Sequence, residues 1–138
     1  TGTKEQRKMR RFPTGAMRDD DKDKLDYEGF LSPLVLRRYA QYMHAHRIQA
    51  DGNVRDSDNW QKGIPLDAYM KSAWRHFMDW WMAHRGHETE GGMESALCAL
   101  MFNAMGYLHE ILKGNLPVRT QTGKPNNRAQ TTKIGRKK

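Results

Sequence analysis

Residues 58–94 read DNWQKGIPLDAYMKSAWRHFMDWWMAHRGHETEGGME, and this stretch decides the fold. It contains one amphipathic helical pattern and all four tryptophans of the chain. The helix is predicted to begin near Pro65, because proline is favoured in the first turn, and to run to about Ala83. A glycine-bearing turn at residues 84–92 follows. We expect the rest of the chain to pack against this unit or to extend away from it.

The apolar side chains of this helix recur every three or four residues, which is the spacing of one helical face, and polar side chains lie beside them. The apolar positions are Leu66, Met70, Ala73, Phe77, Trp80 and Trp81. The polar positions beside them are Lys71, Ser72, Arg75, His76 and Asp79. The pattern predicts that the apolar stripe faces the core and leaves the polar group for other roles.

A first helix is predicted before this stretch. Ser32 is a good N-cap, Pro33 suits the first helical position, and the helix ends near Arg47. The connection that follows, residues 48–64, is long for a link between helices, and long ordered loops are often functional. Trp60 lies in this connection, so we expect it to pack down rather than extend into solvent.

A last helix runs from Met93 to about Lys113, and Gly114 is a natural stop. It has the clearest 3.6-residue period of the chain, formed by Leu97, Leu100, Met101, Ala104, Met105, Leu108, Ile111 and Leu112. His109 and Glu110 lie off this stripe near the end of the helix, where we expect them to be solvated.

These elements predict an all-α fold, a small helical bundle of three main helices with flexible basic N- and C-terminal tails. We divide the chain into a basic arm (1–11), a helical domain (12–114) and a basic tail (115–138). Residues 1–18 contain six Lys or Arg and one acid, and the tail contains seven and no acid. No strand pattern of useful length is evident.

The net charge of +8 comes mostly from these ends, and basic ends attract polyanions through phosphate contacts. A solubilising role for the ends is an equally simple interpretation. There is no apolar run of 18 residues and no secretory signal pattern, so neither a membrane span nor export is expected. The single cysteine, Cys98, excludes an intrachain disulfide and indicates a reducing, cytoplasmic compartment.

Motifs for nucleophilic catalysis and for phosphate-binding loops are absent from the sequence. It has no G-x-S-x-G, no Walker A loop, no G-x-G-x-x-G and no H-E-x-x-H. Metal-assisted phosphate chemistry survives this elimination. Glu88, Glu90 and Glu94 surround the predicted hairpin turn, and carboxylates suit Mg²⁺ or Mn²⁺, which can bridge to substrate phosphates.

Other candidate residues lie around this acidic turn. His76 and Asp79 are three residues apart and can share one helical face, as a functional pair or as an ordinary surface pair. Trp60 could stack on a base. The candidates for binding a polyphosphate are Arg18, Lys62 and Arg75.

Short motifs along the chain carry a resemblance. They are Phe12-x-Thr14-Gly15-Ala16-x-Arg18-Asp19 with Leu31-Ser32-Pro33-x-x-Leu36-Arg37-Arg38-x-Ala40, then Asn59-Trp60-x-Lys62-Gly63, Ser72-x-x-Arg75-His76, Glu88-Thr89-Glu90-Gly91-Gly92 and Phe102-Asn103-Ala104. Together, and in this order, they resemble the phage dATP/dGTP diphosphohydrolase-like domain over about residues 12–112.

The resemblance implies a phage-encoded, all-helical enzyme of nucleotide metabolism, similar in chemistry to MazG-type pyrophosphohydrolases. Such an enzyme hydrolyses purine (deoxy)nucleoside triphosphates such as dATP or dGTP to the monophosphate and pyrophosphate, with Mg²⁺ or Mn²⁺. The implied metal ligands are Glu88, Glu90 and Glu94, and the implied catalytic residues are His76 and Asp79. The implied substrate-binding residues are Arg18, Asn59, Trp60, Lys62, Arg75 and Asn103.

The same resemblance implies a dimer or tetramer in the cytoplasm of the infected host. The paired E-E-x-x-E and E-x-x-D signatures of MazG-type enzymes are absent, and position 96 is alanine where the family pattern suggests histidine. The alternative hypothesis is a non-catalytic, basic protein that binds nucleic acid or serves in phage structure or assembly.

Overall fold

The computed structural model describes residues 8–117 and the backbone of residues 131–133. The chain divides into two compact units, residues 1–33 and residues 34–138. The remaining parts of the predicted basic arm and basic tail, residues 1–7, 118–130 and 134–138, lie outside the described residues.

The N-terminal unit contains a hairpin and one short helix: β1 (Met9–Arg11), β2 (Met17–Asp19) and α1 (Tyr27–Phe30). The two strands are antiparallel, with Arg10 opposite Arg18. Gly15 allows the turn between them because its φ of 91° is in the left-handed region that other residues rarely adopt. Asp26 caps α1 by accepting a hydrogen bond from the Gly29 amide at 2.9 Å.

The second unit is mostly helical. Its elements are α2 (Pro33–Ala45, whose first residue ends the N-terminal unit), a single turn of 3₁₀-helix (Asn59–Lys62), α3 (Leu66–His84), α4 (Gly92–Leu112), β3 (Asn115–Pro117) and β4 (Thr131–Lys133). The three predicted helices are confirmed, and each end lies within two residues of its expected position. None of the described helices is both long enough and apolar enough to span a membrane.

Short strands distinguish the fold from the purely helical prediction. The hairpin of β1 and β2 crosses the predicted boundary between the arm and the helical domain, and β3 pairs with β4 inside the segment that was expected to be a flexible tail. Each strand has three residues, which is too short for an alternating apolar pattern to be recognised.

The core lies between α3 and α4, which form an antiparallel hairpin. Tyr69 of α3 is the largest fully buried side chain among the described residues, with 1% of its surface exposed. Its ring lies directly over Gly106 of α4, where a Cβ atom would collide with it. The ring also meets Phe102 edge-on at 5.8 Å. The missing side chain at position 106 therefore sets how closely the two helices approach.

The buried face of α4 differs from the predicted apolar stripe. It consists of Ala96, Cys98, Ala99, Asn103, Gly106 and Glu110. Met105, Leu108 and Leu112 of the predicted stripe are instead exposed. Gly106 belongs to this face because the ring of Tyr69 occupies the space that a side chain at position 106 would need. The expectation that Glu110 is solvated is wrong: it is 3% exposed and its Oε1 accepts a hydrogen bond from Asn115 Nδ2 at 2.7 Å.

The predicted stripe of α3 is also only partly buried in the single chain. Leu66 is buried as expected, together with Tyr69, which the stripe did not include. Met70, Phe77 and Trp81 belong to the predicted stripe but are exposed. The helix therefore presents a large apolar surface outside the core.

Replacing Gly106 with alanine should destabilise the protein. Glycine to alanine inside a helix normally stabilises it by about 1 kcal/mol, because alanine is the better helix former. Here the added Cβ meets the buried Tyr69 ring, and overpacking of a core costs about 1–3 kcal/mol. Chemical denaturation of Gly106→Ala should therefore show a lower free energy of unfolding.

The control is Ala104→Gly at an exposed position of the same helix, which measures helix propensity without the clash. In a Tyr69→Leu background the ring is gone, so adding Gly106→Ala should no longer lower the free energy of unfolding. A Gly106→Ala protein that is more stable than the original would contradict this account of the packing.

Candidate functional site

A cavity of about 590 Å³ opens between α2, the loop before α3, and the α3–α4 hairpin. Its volume lies within the range of about 300–1,000 Å³ that is usual for small-molecule sites. An ion pair on α2 connects this helix to the start of α4: Arg38 Nε donates to Glu94 Oε1 at 2.6 Å. Both side chains of this ion pair are partly exposed, so it links α2 to α4 only weakly.

Aromatic side chains form one part of the cavity wall, and they are Tyr39, Tyr42, Trp60 and Phe102. Trp60 is half-buried, as predicted for the loop, and meets Phe102 edge-on with 6.3 Å between ring centroids. Its indole also contacts the His109 ring at 4.7 Å. These contacts hold Trp60 against α4, so its position in the cavity wall is defined.

Two tyrosines of α2, Tyr39 and Tyr42, line the cavity. Burial raises the pKa of Tyr39 and of Tyr42, so both phenols stay protonated at neutral pH. The Tyr39 hydroxyl is buried and has no hydrogen-bond partner among the described residues.

Two arginines, Arg47 and Arg55, line the cavity where the loop leaves α2. Arg47 Nε donates to the Arg55 carbonyl at 2.7 Å, and the Arg55 amide donates to the Arg47 carbonyl at 2.8 Å. Arg55 Nη2 donates to the His46 carbonyl. Only part of each guanidinium is used by these bonds, so both retain donors for an anionic ligand.

The arginines meet because residues 47–55 fold back on themselves. Ile48 pairs with Val54 through an isolated antiparallel bridge. Asp51 Oδ1 accepts a hydrogen bond from the Asn53 amide at 3.0 Å across the Asp51-Gly52 turn. The turn is therefore stabilised by its own residues, and it places two cationic side chains next to each other.

His76 of α3 faces the cavity, and its neighbour Asp79 lies on the same side of the helix. The distance from His76 Nδ1 to Asp79 Oδ2 is 4.0 Å. Burial lowers the pKa of His76 from its ordinary value of 6.5; Asp79 opposes this shift, and Arg75 and His46 add to it. At neutral pH the imidazole is therefore mostly neutral and able to accept a proton.

Polar side chains complete the cavity wall, and they are Asp56, Ser57, Asn59, Ser72 and Asn103. Asn103 is 4% exposed, and its Nδ2 donates to the Ala99 carbonyl at 2.8 Å. This bond within α4 fixes the orientation of the amide. Of the residues predicted from sequence, the cavity thus brings together Asn59, Trp60, His76 and Asn103.

Other predicted residues lie elsewhere. Lys62 and Arg75 are exposed and, within the described helical unit, do not line the cavity. Asp79 does not line it either and acts on it only through His76. Arg18 belongs to the N-terminal unit, where it lies on β2.

The predicted metal ligands do not form a cluster in a single chain. Glu88 and Glu90 are exposed in the turn before α4, whereas Glu94 is bound by Arg38. In the part of the chain that the structure describes, no three His, Cys, Asp or Glu side chains converge where an ion could bind. Carboxylates have suitable chemistry for Mg²⁺ or Mn²⁺, but these three do not fit a metal site as they are arranged here.

The sequence interpretation missed Arg47, Arg55 and the two tyrosines of α2. A signal for the arginines was present, because Asp-Gly is a strong turn signal and the two residues are at matched distances from it. The tyrosines are three residues apart, so they share one helical face, but this spacing alone does not distinguish a cavity wall from a core. The histidines His44 and His46 are exposed, and both border the cavity.

Comparison with known proteins gives one family match. The model of the family described as dATP/dGTP diphosphohydrolase, N-terminal, matches residues 14–117. No curated protein and no solved structure matches the chain. The matched range includes all three long helices and ends at the last residue of β3.

The charges around His76 predict how its pKa responds to substitution. NMR titration of the ring should give a pKa below 6.5 in the unaltered protein, since burial favours the neutral form. Asp79→Asn should lower it further because the carboxylate stabilises the imidazolium. Arg75→Gln should raise it because a nearby positive charge is removed. Equal pKa values in all three proteins would show that neither neighbour acts on the ring.

Proposed function

The chain belongs to the dATP/dGTP diphosphohydrolase N-terminal family, and we propose that it hydrolyses purine deoxynucleoside triphosphates in the cavity beside α2. The single observation that carries the proposal is the composition of the cavity wall. Aromatic rings, two arginines and a neutral histidine surround one space, and these are the groups that a base, a polyphosphate and an attacking water require. The products would be the nucleoside monophosphate and pyrophosphate.

The base would bind at the aromatic part of the cavity. Stacking of a base on an aromatic side chain contributes roughly 1–3 kcal/mol, and every purine has a face that can stack. Trp60 and Phe102 are held by their own ring contacts, so little side-chain freedom would be lost on binding. Asn59 and Asn103 supply amide groups that can form hydrogen bonds with the edge of a purine or with the sugar.

The triphosphate would bind near Arg47 and Arg55. A guanidinium presents paired donors that match the oxygens of a phosphate group. Both side chains are already anchored to backbone carbonyls, which reduces the cost of ordering them. Lys62 and Arg75, which were expected from sequence as phosphate contacts, do not line this cavity, so the proposal assigns the triphosphate to Arg47 and Arg55.

His76 would act as the general base. A water oxygen attacks the α-phosphorus, the bond from that phosphorus to the bridging oxygen breaks, and the electron pair leaves with pyrophosphate. The proton of the water passes to the free ring nitrogen, Nε2, because Nδ1 lies on the side of Asp79. Asp79 would then stabilise the imidazolium that forms.

The family resemblance also implies Mg²⁺ or Mn²⁺, which would neutralise charge on the phosphates when bound. Because Glu88, Glu90 and Glu94 are not assembled in one chain, their role as ligands stays a proposal that requires a different arrangement of the turn. The proposed setting is nucleotide metabolism in the cytoplasm of a phage-infected bacterium, as the resemblance implies.

The decisive experiment is a screen of nucleoside triphosphates in the presence of Mg²⁺ and of Mn²⁺. Chromatography that separates pyrophosphate from phosphate should show pyrophosphate and monophosphate from dATP or dGTP, and slower turnover of dCTP and dTTP. Absence of hydrolysis together with absence of nucleotide binding would exclude the proposal. Release of phosphate alone would place the cleaved bond elsewhere.

Removing the proposed base should lower the rate of the chemical step. His76→Gln keeps a polar side chain but cannot accept the proton, so kcat should fall roughly 10²- to 10⁴-fold while KM changes little. The matched control is His84→Gln at the exposed end of the same helix, which should retain full activity. A His76→Gln enzyme with unchanged kcat would remove His76 from the mechanism.

Removing a proposed phosphate contact should weaken substrate binding. Arg55→Gln loses charge-assisted hydrogen bonds worth about 1.5–3 kcal/mol, so KM should rise roughly 10- to 100-fold. Arg37→Gln on the exposed surface of α2 is the control and should leave KM unchanged, because Arg37 does not line the cavity. Equal effects of the two substitutions would indicate general electrostatic attraction rather than a site.

A further inference from the structure

The side of α3 opposite the cavity is an exposed apolar surface. It consists of Met70, Trp74, Phe77, Met78, Trp81 and Met82, which we call the outer face. Their exposed fractions extend from 39% at Phe77 to 61% at Trp74. A groove of about 360 Å³ with only apolar lining, formed with Leu100 of α4, runs beside this face. Ser72 and His76, which line the cavity, are on the other side of the helix.

The outer face is large enough to form an interface. Aromatic side chains present roughly 150–250 Å² each, so six residues about half exposed offer on the order of 600 Å² per chain. A specific interface buries roughly 800 Å² per partner, and the largest apolar patch of a typical monomer is about 300–600 Å². Adding the groove and the polar residues around the face brings the surface to the size that a stable pair needs.

Charges at the two ends of α3 indicate which partner fits. Asp67 lies in the first turn, and Arg85 follows the last turn on the same side of the helix. The Arg85 guanidinium lies 5.6 Å from the centre of the Trp81 ring, which keeps it beside the outer face. Each of the two charges is nine positions from His76. A second copy related by a two-fold axis near position 76 would therefore place Asp67 of each chain against Arg85 of the other.

The same symmetry pairs four of the six residues of the outer face with one another, while Phe77 and Trp81 fall opposite the levels of Arg75 and Lys71. Met70 would meet Met82 of the other copy, and Trp74 would meet Met78, because each pair is equally distant from position 76. A parallel arrangement would instead place Asp67 against Asp67 and Arg85 against Arg85. Antiparallel packing also pairs the opposite ends of the two helix dipoles. We propose that the outer face of α3 binds the outer face of a second copy of this chain, antiparallel around a two-fold axis near His76.

Such a dimer leaves both cavities accessible, since each opens on the far side of α3. The interface is isologous, so every contact occurs twice. The resemblance found in the sequence implied an oligomer, and the structure assigns the surface and the orientation. The inference does not depend on the proposed hydrolysis, because it uses only the exposed residues of α3 and the charges at its ends.

Light scattering during size-exclusion chromatography of the full chain should give the mass of an even-numbered oligomer. Trp74→Glu/Phe77→Glu should abolish the pairing by placing charges in its centre, and a dimer should become a monomer. Leu108→Glu on the exposed side of α4 is the control and should leave the mass unchanged. A monomeric unaltered protein, or an oligomer indifferent to the α3 substitutions, would overturn the proposal; circular dichroism verifies that each variant is folded.

Charge exchange tests the orientation. Asp67→Arg or Arg85→Asp alone should weaken dimerisation roughly threefold to tenfold, and the double variant should restore it, because the exchanged pair is again complementary.

In a Cys98→Ser background, Met70→Cys/Met82→Cys should form disulfide-linked dimers, whereas Met70→Cys alone should not. Efficient cross-linking by Met70→Cys alone would show a parallel pair and contradict the proposal.

Discussion

The fold depends on one contact, the ring of Tyr69 against the bare backbone of Gly106. Close packing at this point sets the separation and rotation of α3 and α4, and everything else on the two helices follows from that rotation. With Tyr69 directed at α4, the residues three and seven positions later, Ser72 and His76, are directed at the cavity. The large apolar residues of the outer face are left outside the core for the same reason.

The cavity exists because α2 does not pack against the hairpin in the way that α3 and α4 pack against each other. It is joined near its middle to the start of α4 by the pair of Arg38 and Glu94, and its tyrosines border an open space. The loop after α2 then adds two anchored arginines and an indole to the same space. Because α2 does not pack closely on the hairpin, the space between them is a cavity and not a third layer of the core. Aromatic, cationic and proton-accepting groups line this cavity.

The helices could be predicted from sequence, but their faces could not. Ser32, Pro33, Pro65 and Gly114 mark the helix ends through local backbone preferences, which a single sequence records. The buried face of α4 depends on its partner helix. The ring of Tyr69 requires glycine at position 106, although leucine and methionine on another face give the stronger apolar period.

In the site, Trp60 and His76 were recognised because their residue types are chemically distinctive. Arg47 and Arg55 were not, since a hairpin brings them together. Glu94 was assigned to a metal because it is close in sequence to Glu90, whereas the fold gives it a partner 56 residues earlier.

The bond between Glu110 and Asn115 has a consequence for where this domain can be cut. Glu110 is almost fully enclosed, and its Oε1 relies on an amide that comes after the end of α4. A fragment that stops at residue 114, the boundary suggested by helix periodicity, would lack Asn115. Both side-chain oxygens of the buried Glu110 would then have no hydrogen-bond partner. Carrying the chain through Pro117 keeps Oε1 bonded, so expression fragments should be designed to include the first strand after the helix.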